Sequence, residues 1–98
     1  MGNKIVWSTR SRTDYDNLLE YLNEEWGKEI TKRIILELEE KVLKIQDNPE
    51  HYPIFNRKKR VRRCVSSPQT SIFFKIHDGY IEIVTLFDNR QSPRKLKF

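Results

Sequence analysis

Between Arg57 and Arg63 the chain reads R-K-K-R-V-R-R, six cations in seven residues. Its closing stretch, Tyr80 to Phe98, adds Arg90, Arg94, Lys95 and Lys97. Side chains of this type and density suit an anionic partner such as RNA, DNA or an acidic protein segment. The same run is also the ordinary make-up of a solvated face, and edge strands carry Lys and Arg to block aggregation. Other reactive residues are sparse. His51 stands in a loop beside Tyr52 and Pro53. His77 lies at a turn that antiparallel pairing brings towards Arg60, where a pair between the two is conceivable; a turn histidine is ordinarily just solvated. A lone cysteine, Cys64, excludes an internal disulfide and a multi-cysteine metal site. There is no Gly-rich phosphate loop, no metal-ligand cluster and no Ser/His/Asp arrangement. Cofactors, metals and small-molecule substrates are therefore not implied.

The charge is divided along the chain. Residues 1–53 hold eight Lys/Arg against eleven Asp/Glu, a net of −3, whereas residues 54–98 hold eleven against three, a net of +8. Together these give the overall +5 of the 98 residues. An even spread would indicate only solubility; this asymmetry marks a basic working half. A chain of this length is expected to be one domain, 1–98, burying roughly 60–70% of its unfolded surface. That leaves little room for an enclosed cofactor cavity. No run of eighteen apolar residues exists, so no membrane span is expected, and the N-terminus lacks the apolar core of a signal peptide. Met1-Gly2 could open a myristoylation signal, but Val6 occupies the place of its Ser or Thr. A cytoplasmic protein is the expectation.

The elements that must position the cations follow from periodicity. Lys4 to Trp7 reads as a short strand. Ser8 or Ser11 can cap the first helix, with Asp14 and Asp16 favoured in its first turn. Tyr15, Leu18, Leu19, Leu22 and Trp26 form its apolar stripe, and Gly27 ends it. A second helix runs from about Glu29 to Gln46 on Ile30, Ile34, Leu38, Val42 and Ile45. Leu36 and Leu43 lie on another side, either packed against the first helix or exposed as an apolar strip for a partner. Asp47-Asn48-Pro49 stops this helix, and Glu50 to Lys59 reads as loop. Strands are expected at Arg60–Val65, Ser71–Ile76 and Ile81–Phe87, with an Asp78-Gly79 hairpin between the last two. Ile81, Ile83 and Phe87 should share one face of the last strand, with Val84 and Leu86 on the other; apolar content on both faces marks a central strand. The expected fold is α+β, in the order β-α-α-β-β-β: a helical hairpin on one face of a small, mostly antiparallel four-stranded sheet. Arg62, with Lys75, is expected on the uncovered face.

Read together, these segments resemble the RelE/ParE superfamily of bacterial type II toxins. The resemblance covers nearly the whole chain. It rests on the initial strand with Ser8, E-Y-L-N-E-E-W-G at the end of the first helix, and N-P-E-H-Y-P after the second. It continues through R-R-C-V, S-I-F-F-K-I, the D-G hairpin, I-E-I-V-T-L-F and D-N-R-Q-S-P. Membership implies a toxin held inactive by a cognate antitoxin that wraps the helices and sheet edge; the acidic half, the basic sheet face and the Leu36/Leu43 strip could make that contact. The family divides by target: RelE-like members cut mRNA on the ribosome without metal, and ParE-like members poison DNA gyrase.

Metal-free RNA cleavage needs a base for the 2′-hydroxyl, an acid for the 5′-oxygen and cations for the phosphorane. Arg60, Arg62, Arg63 and Arg90 could be the charge stabilisers, and Lys58 and Lys59 stand where nuclease members use lysines. Many such members also carry a Tyr or His in the C-terminal tail. Here the tail after Arg90 has neither. The resemblance therefore favours the ParE-like branch, inhibiting gyrase by protein–protein contact through Lys58, Lys59, Arg60, Arg62, Arg63, Arg90, Arg94 and Lys95. The alternatives are a ribosome-dependent mRNA endonuclease, or a non-toxic module that only binds antitoxin or DNA.

Overall fold

The structure, a computed structural model, describes residues 3–98; the Met1-Gly2 signal considered above lies outside them. Strand β1 (Lys4–Trp7) leads into helices α1 (Thr9–Trp26) and α2 (Lys28–Asp47), and β2 (Ile54–Asn56), β3 (Val61–Ser67), β4 (Thr70–His77) and β5 (Tyr80–Asp88) follow. They form one five-stranded sheet in the order β1-β5-β4-β3-β2. Strand β1 runs parallel to β5 and the other pairings are antiparallel. The expected four-stranded sheet is thus corrected to a five-stranded mixed one. The addition is β2, which lies inside the stretch that reads as loop. Pro53 and a length of three residues hide it in the sequence, and Ile54 and Phe55 are exposed as befits an edge strand. A second correction concerns Arg60. It is not the first residue of a strand but closes the β2–β3 turn at φ 56°, in the left-handed region.

Both helices cover one face. Ser8 caps α1, its hydroxyl accepting from the Ser11 amide at 3.0 Å while donating to the Val84 carbonyl at 2.8 Å. A single residue, Gly27 at φ 82°, separates the helices. Leu38, Val42 and Ile45 of α2 meet Cys64, Ile72, Phe74, Ile81, Ile83 and Leu86 of the sheet, and this is the main core. Ile45, Ile72, Phe74, Ile81 and Ile83 are wholly buried. Burial on that scale contributes roughly 1.5–3 kcal/mol per side chain. Trp26, expected in the α1 stripe, is instead 51% exposed. It is the last residue of the helix.

The alternation of β5 breaks once. Phe73 pairs with Thr85 but Phe74 pairs with Ile83, so β5 has a bulge at Val84. Leu86 consequently joins Ile81 and Ile83 in the helix-side core, and Phe87 turns to the opposite face, against Phe73. The expected grouping of Phe87 with Ile81 and Ile83 is reversed by that extra residue. Asp14 holds the bulge in place. Its carboxylate accepts from the Thr85 hydroxyl and from the Leu86 amide at 3.1 Å. It lies past the first turn of α1, which contains no acid, so its role is this tertiary contact and not the expected helix-start one. Replacing Asp14 with Ala leaves a strand amide without its acceptor. We expect a loss of about 1–3 kcal/mol, read as a lower urea midpoint at unchanged slope; a midpoint equal to that of the parent chain contradicts the role.

Candidate functional site

Alternation along β3 sends its two arginines to opposite faces. Arg62 opposes Phe74 on the helix side, where its guanidinium donates to the carbonyls of Tyr52 (2.7 Å) and Glu50 (3.2 Å). The expectation that Arg62 faces the uncovered side is therefore corrected: it ties the Pro49–His51 turn to the sheet. Arg63 takes the open face. Its Nε donates to Ser71 Oγ at 3.0 Å, and its Nη2 reaches Asn89 Oδ1 at 3.4 Å. The Ser71 hydroxyl, itself fully buried, also donates to Asn89 Oδ1 at 2.7 Å.

The open face carries a second apolar cluster. Phe73 packs edge-on with Phe55 (4.9 Å between centroids) and Phe87 (6.4 Å), and Phe98 lies 5.4 Å from Phe73 and 6.1 Å from Phe55. The Arg63 guanidinium stands 5.9 Å from the centre of the Phe55 ring. Burying Phe73 completely between these rings gives the sheet a core on each side. The tail is part of this packing. After a 3-10 turn at Pro93–Lys95, Leu96 and Phe98 are half-buried while Lys95 and Lys97 are exposed, and Arg10 of α1 donates to the Lys97 carbonyl.

Arg90 leaves the strand on the α1 side. It forms a bidentate pair with Asp88 (Nη2 to Oδ2 at 2.8 Å, Nε to Oδ1 at 3.0 Å), donates to the Tyr21 hydroxyl at 3.1 Å and lies 5.5 Å from that ring's centre. Hydrogen bonds from Arg90 hold the Asp88 carboxyl below its usual range, and the same pairing raises the guanidinium's own affinity for its proton. Among the described residues no two of Arg60, Arg62, Arg63 and Arg90 share a hydrogen-bond partner. Arg57, Lys58, Lys59 and Arg60 are all exposed on the turn, as are Arg94 and Lys95 on the tail.

The histidines are engaged elsewhere. His77 bonds Glu82 through Nε2 at 2.8 Å and stacks on Tyr80 at 4.6 Å, in place of the conceivable pair with Arg60. His51 packs edge-on against Tyr52. Cys64 is buried, which pushes its thiol pKa up and leaves it a poor nucleophile. Among the described residues no group of His, Cys, Asp and Glu could hold a metal ion.

Leu36 and Leu43 are 50% and 63% exposed, so they do not pack against α1. Leu43 borders a cleft of about 900 Å³ between the two helices and the sheet-edge strand β1, with Ile5, Trp7, Tyr15, Leu38 and Val42 among its apolar walls. A smaller cleft of about 400 Å³ lies between α1 and the end of β5, lined by Asn17, Tyr21, Gln69, Arg90 and Gln91 among others. Several of these residues carry no sequence signal. Asn89 and Phe98 act through partners 18 to 43 positions away, which neither a period nor a local motif exposes.

Residues 5–93 match the family described as the ParE toxin of the type II toxin-antitoxin system parDE. No curated protein matches the sequence significantly. Among solved structures, the chromosomal ParDE toxin-antitoxin system of P. aeruginosa is similar with a TM-score of 0.77 at 16% identity, covering 88% of this chain and 95% of that one. The DinJ-YafQ toxin-antitoxin complex of E. coli is similar at 0.61 and 15% identity, covering 92% and 96%. The conserved hypothetical protein HP0894 of Helicobacter pylori is similar at 0.60 and 18% identity, covering 91% and 97%. At these identities the likeness is one of fold.

The Asp88 carboxyl titrates lower when folded than when unfolded. Its pairing therefore stabilises the fold above the ordinary carboxylate range, near pH 4, and that contribution fades as the pH falls through the folded value. Arg90→Ala should move the Asp88 titration, followed by carbon NMR, back up towards that range. Because the pair is exposed, the accompanying loss of stability at pH 7 should be small. An unmoved titration contradicts the pairing.

Proposed function

The chain belongs to the ParE toxin family of type II toxin-antitoxin systems, and on that premise we propose that it arrests growth in the cytoplasm by binding DNA gyrase and is silenced by a cognate antitoxin. The observation that carries the choice of an inhibitor over a nuclease is the dispersal of the arginines. A phosphorane needs several cations converging on one point. Here Arg62 is spent on two backbone carbonyls beneath the helices, Arg63 is held by Ser71 and Asn89 above the sheet, Arg90 is clamped by Asp88 and Tyr21, and Arg60 sits in a turn. Neither histidine lies among them, since His77 is bonded to Glu82 and His51 packs on Tyr52. The working surface is then the exposed turn, Arg57 to Arg60 with Lys58 and Lys59, together with Arg63 and the tail from Arg90 through Arg94 and Lys95.

The antitoxin takes the other side. The cleft beside β1 offers apolar walls and an unpaired strand edge, and Leu43 and Leu36 extend its apolar character along α2. An amphipathic segment from the antitoxin could bury these leucines and leave the open sheet face to the target.

Two measurements test this reading. Folded, antitoxin-free protein in excess should block supercoiling by purified gyrase, and thymidine incorporation should fall before methionine incorporation after induction. Untouched supercoiling with transcripts cut in codon register would instead make the chain a ribosome-dependent nuclease; neither effect would leave a module that only binds. For the antitoxin, Leu43→Asp should weaken the complex at least tenfold by calorimetry, about 1.4 kcal/mol, without lowering the melting temperature, because the side chain is exposed. Unchanged affinity in both Leu43→Asp and Leu36→Asp removes the α2 strip from the interface.

A further inference from the structure

The tail is not a loose arm. Ser92 Oγ accepts from the Arg94 amide, the Arg10 guanidinium holds the Lys97 carbonyl, and Phe98 is seated against Phe55 and Phe73. Its apolar residues Leu96 and Phe98 turn inward while Lys95 and Lys97 stand out. Phe55 is two residues before the basic turn, so the ring contact brings the end of the tail to the strand that feeds Arg57–Arg60. That turn is itself fixed, by the Lys59 amide on Asn56 Oδ1 at 2.9 Å and the Arg60 amide on the Arg57 carbonyl at 3.3 Å. Cations from two segments more than thirty residues apart thereby share one face.

Nothing on this face neutralises them. Among the described residues the ion pairs are His77–Glu82 and Arg90–Asp88, and neither involves the turn or residues 94–97. The rings on this face pack mainly on one another, Phe98 against Phe55 and Phe73, with Arg63 near the Phe55 ring, although Phe55 remains 44% exposed. Neither of the two clefts described above is lined by these cations. A rigid array of uncompensated cations on an open face fits a rigid array of phosphates.

We infer that the Arg57–Arg60 turn and the clamped tail form one surface for the phosphate backbone of duplex DNA, and that Phe98 is the residue positioning the tail's share of it. The inference deepens the gyrase reading and rests on it for its setting: the toxin touches the DNA segment its target is handling. Binding through phosphates is independent of sequence and depends steeply on salt, by about 0.9 in the log–log slope for each phosphate neutralised.

The test is fluorescence anisotropy of a labelled 20-base-pair duplex with the full, antitoxin-free chain, titrated from 50 to 200 mM NaCl. Binding at 50 mM with a slope of about −4 or steeper is expected, for roughly five contacts. Lys58→Ser with Lys59→Ser should make the slope shallower by about two, and Phe98→Ala should do the same by releasing Lys95 and Lys97, with rescue by Phe98→Tyr. Should Phe98→Ala fail to fold, the surface triple Arg94→Ser, Lys95→Ser, Lys97→Ser replaces it and should remove about three. No binding at 50 mM, a slope indifferent to both clusters, or equal competition by polyglutamate overturns the inference. Supercoiling inhibition that persists without DNA binding overturns it while sparing the gyrase reading; DNA binding as described with supercoiling untouched does the reverse.

Discussion

The sheet changes sides along β5 at one place, where the Asp14 carboxylate receives the Thr85 hydroxyl and the Leu86 amide. Ser8 adds a second grip from the same end of α1, donating to the Val84 carbonyl while its own amide binds the Ile83 carbonyl. Without the extra residue that these contacts stabilise, Leu86 would face away from the helices and Phe87 would face into them. Because of it, the core under α1 and α2 is completed by Leu86, and the aromatic cluster on the far side gains Phe87. The division between a helix-covered core and a tail-covered aromatic cluster follows from that one hydrogen-bonded carboxylate. So does the placement of Asn89, one residue past the strand, where it bridges Ser71 and Arg63.

Charge is distributed with the same economy. Two of the three acids in the basic half are consumed locally, Glu82 by His77 and Asp88 by Arg90. The cations split into those that hold structure and those that face solvent. Arg62 caps carbonyls at the end of α2's connection, Arg63 is bound by side-chain oxygens, and Arg90 is clamped across β5 and α1. The remaining ones, on the turn and the tail, carry the net charge outward.

What could be read from the sequence was what is periodic. The helices on Leu38, Val42 and Ile45, the strand with Ile72, Phe74 and Ile76, and the Asp78-Gly79 hairpin all announce themselves through spacing and turn chemistry, and the structure has each of them. The parallel pairing of Lys4–Trp7 with Tyr80–Ile83 places β5 inside the sheet, as its two apolar faces indicate. What could not be read was aperiodic. A three-residue edge strand after Pro53 has no alternation to detect, and a single bulge inverts parity without altering composition. The candidate surface was visible only as a list of cations. Their sorting into opposite faces depended on the register of β3 against β4, which sets Arg62 opposite Phe74, and the strand itself starts at Val61, after the left-handed turn residue Arg60. Phe98 was invisible for a different reason: a lone ring at the end of a basic tail has meaning only once Phe55 and Phe73 are beneath it.

The pairing of the first strand with the last has a consequence in time. Ile5 lies opposite Ile81, and Ser8 is bonded to Val84 across 76 positions of sequence. Closing so long a loop is an entropic cost that must be met before the contacts return anything, and folds built on such contacts form slowly. During translation β1 has no parallel neighbour until β5 has cleared the ribosome, and α1 has neither Val84 nor Leu86 to hold. Until then a nascent chain has no assembled sheet face to present. The interval in which the finished surface exists begins only once β5 has paired with β1, when any protein already waiting to cover it has its first opportunity.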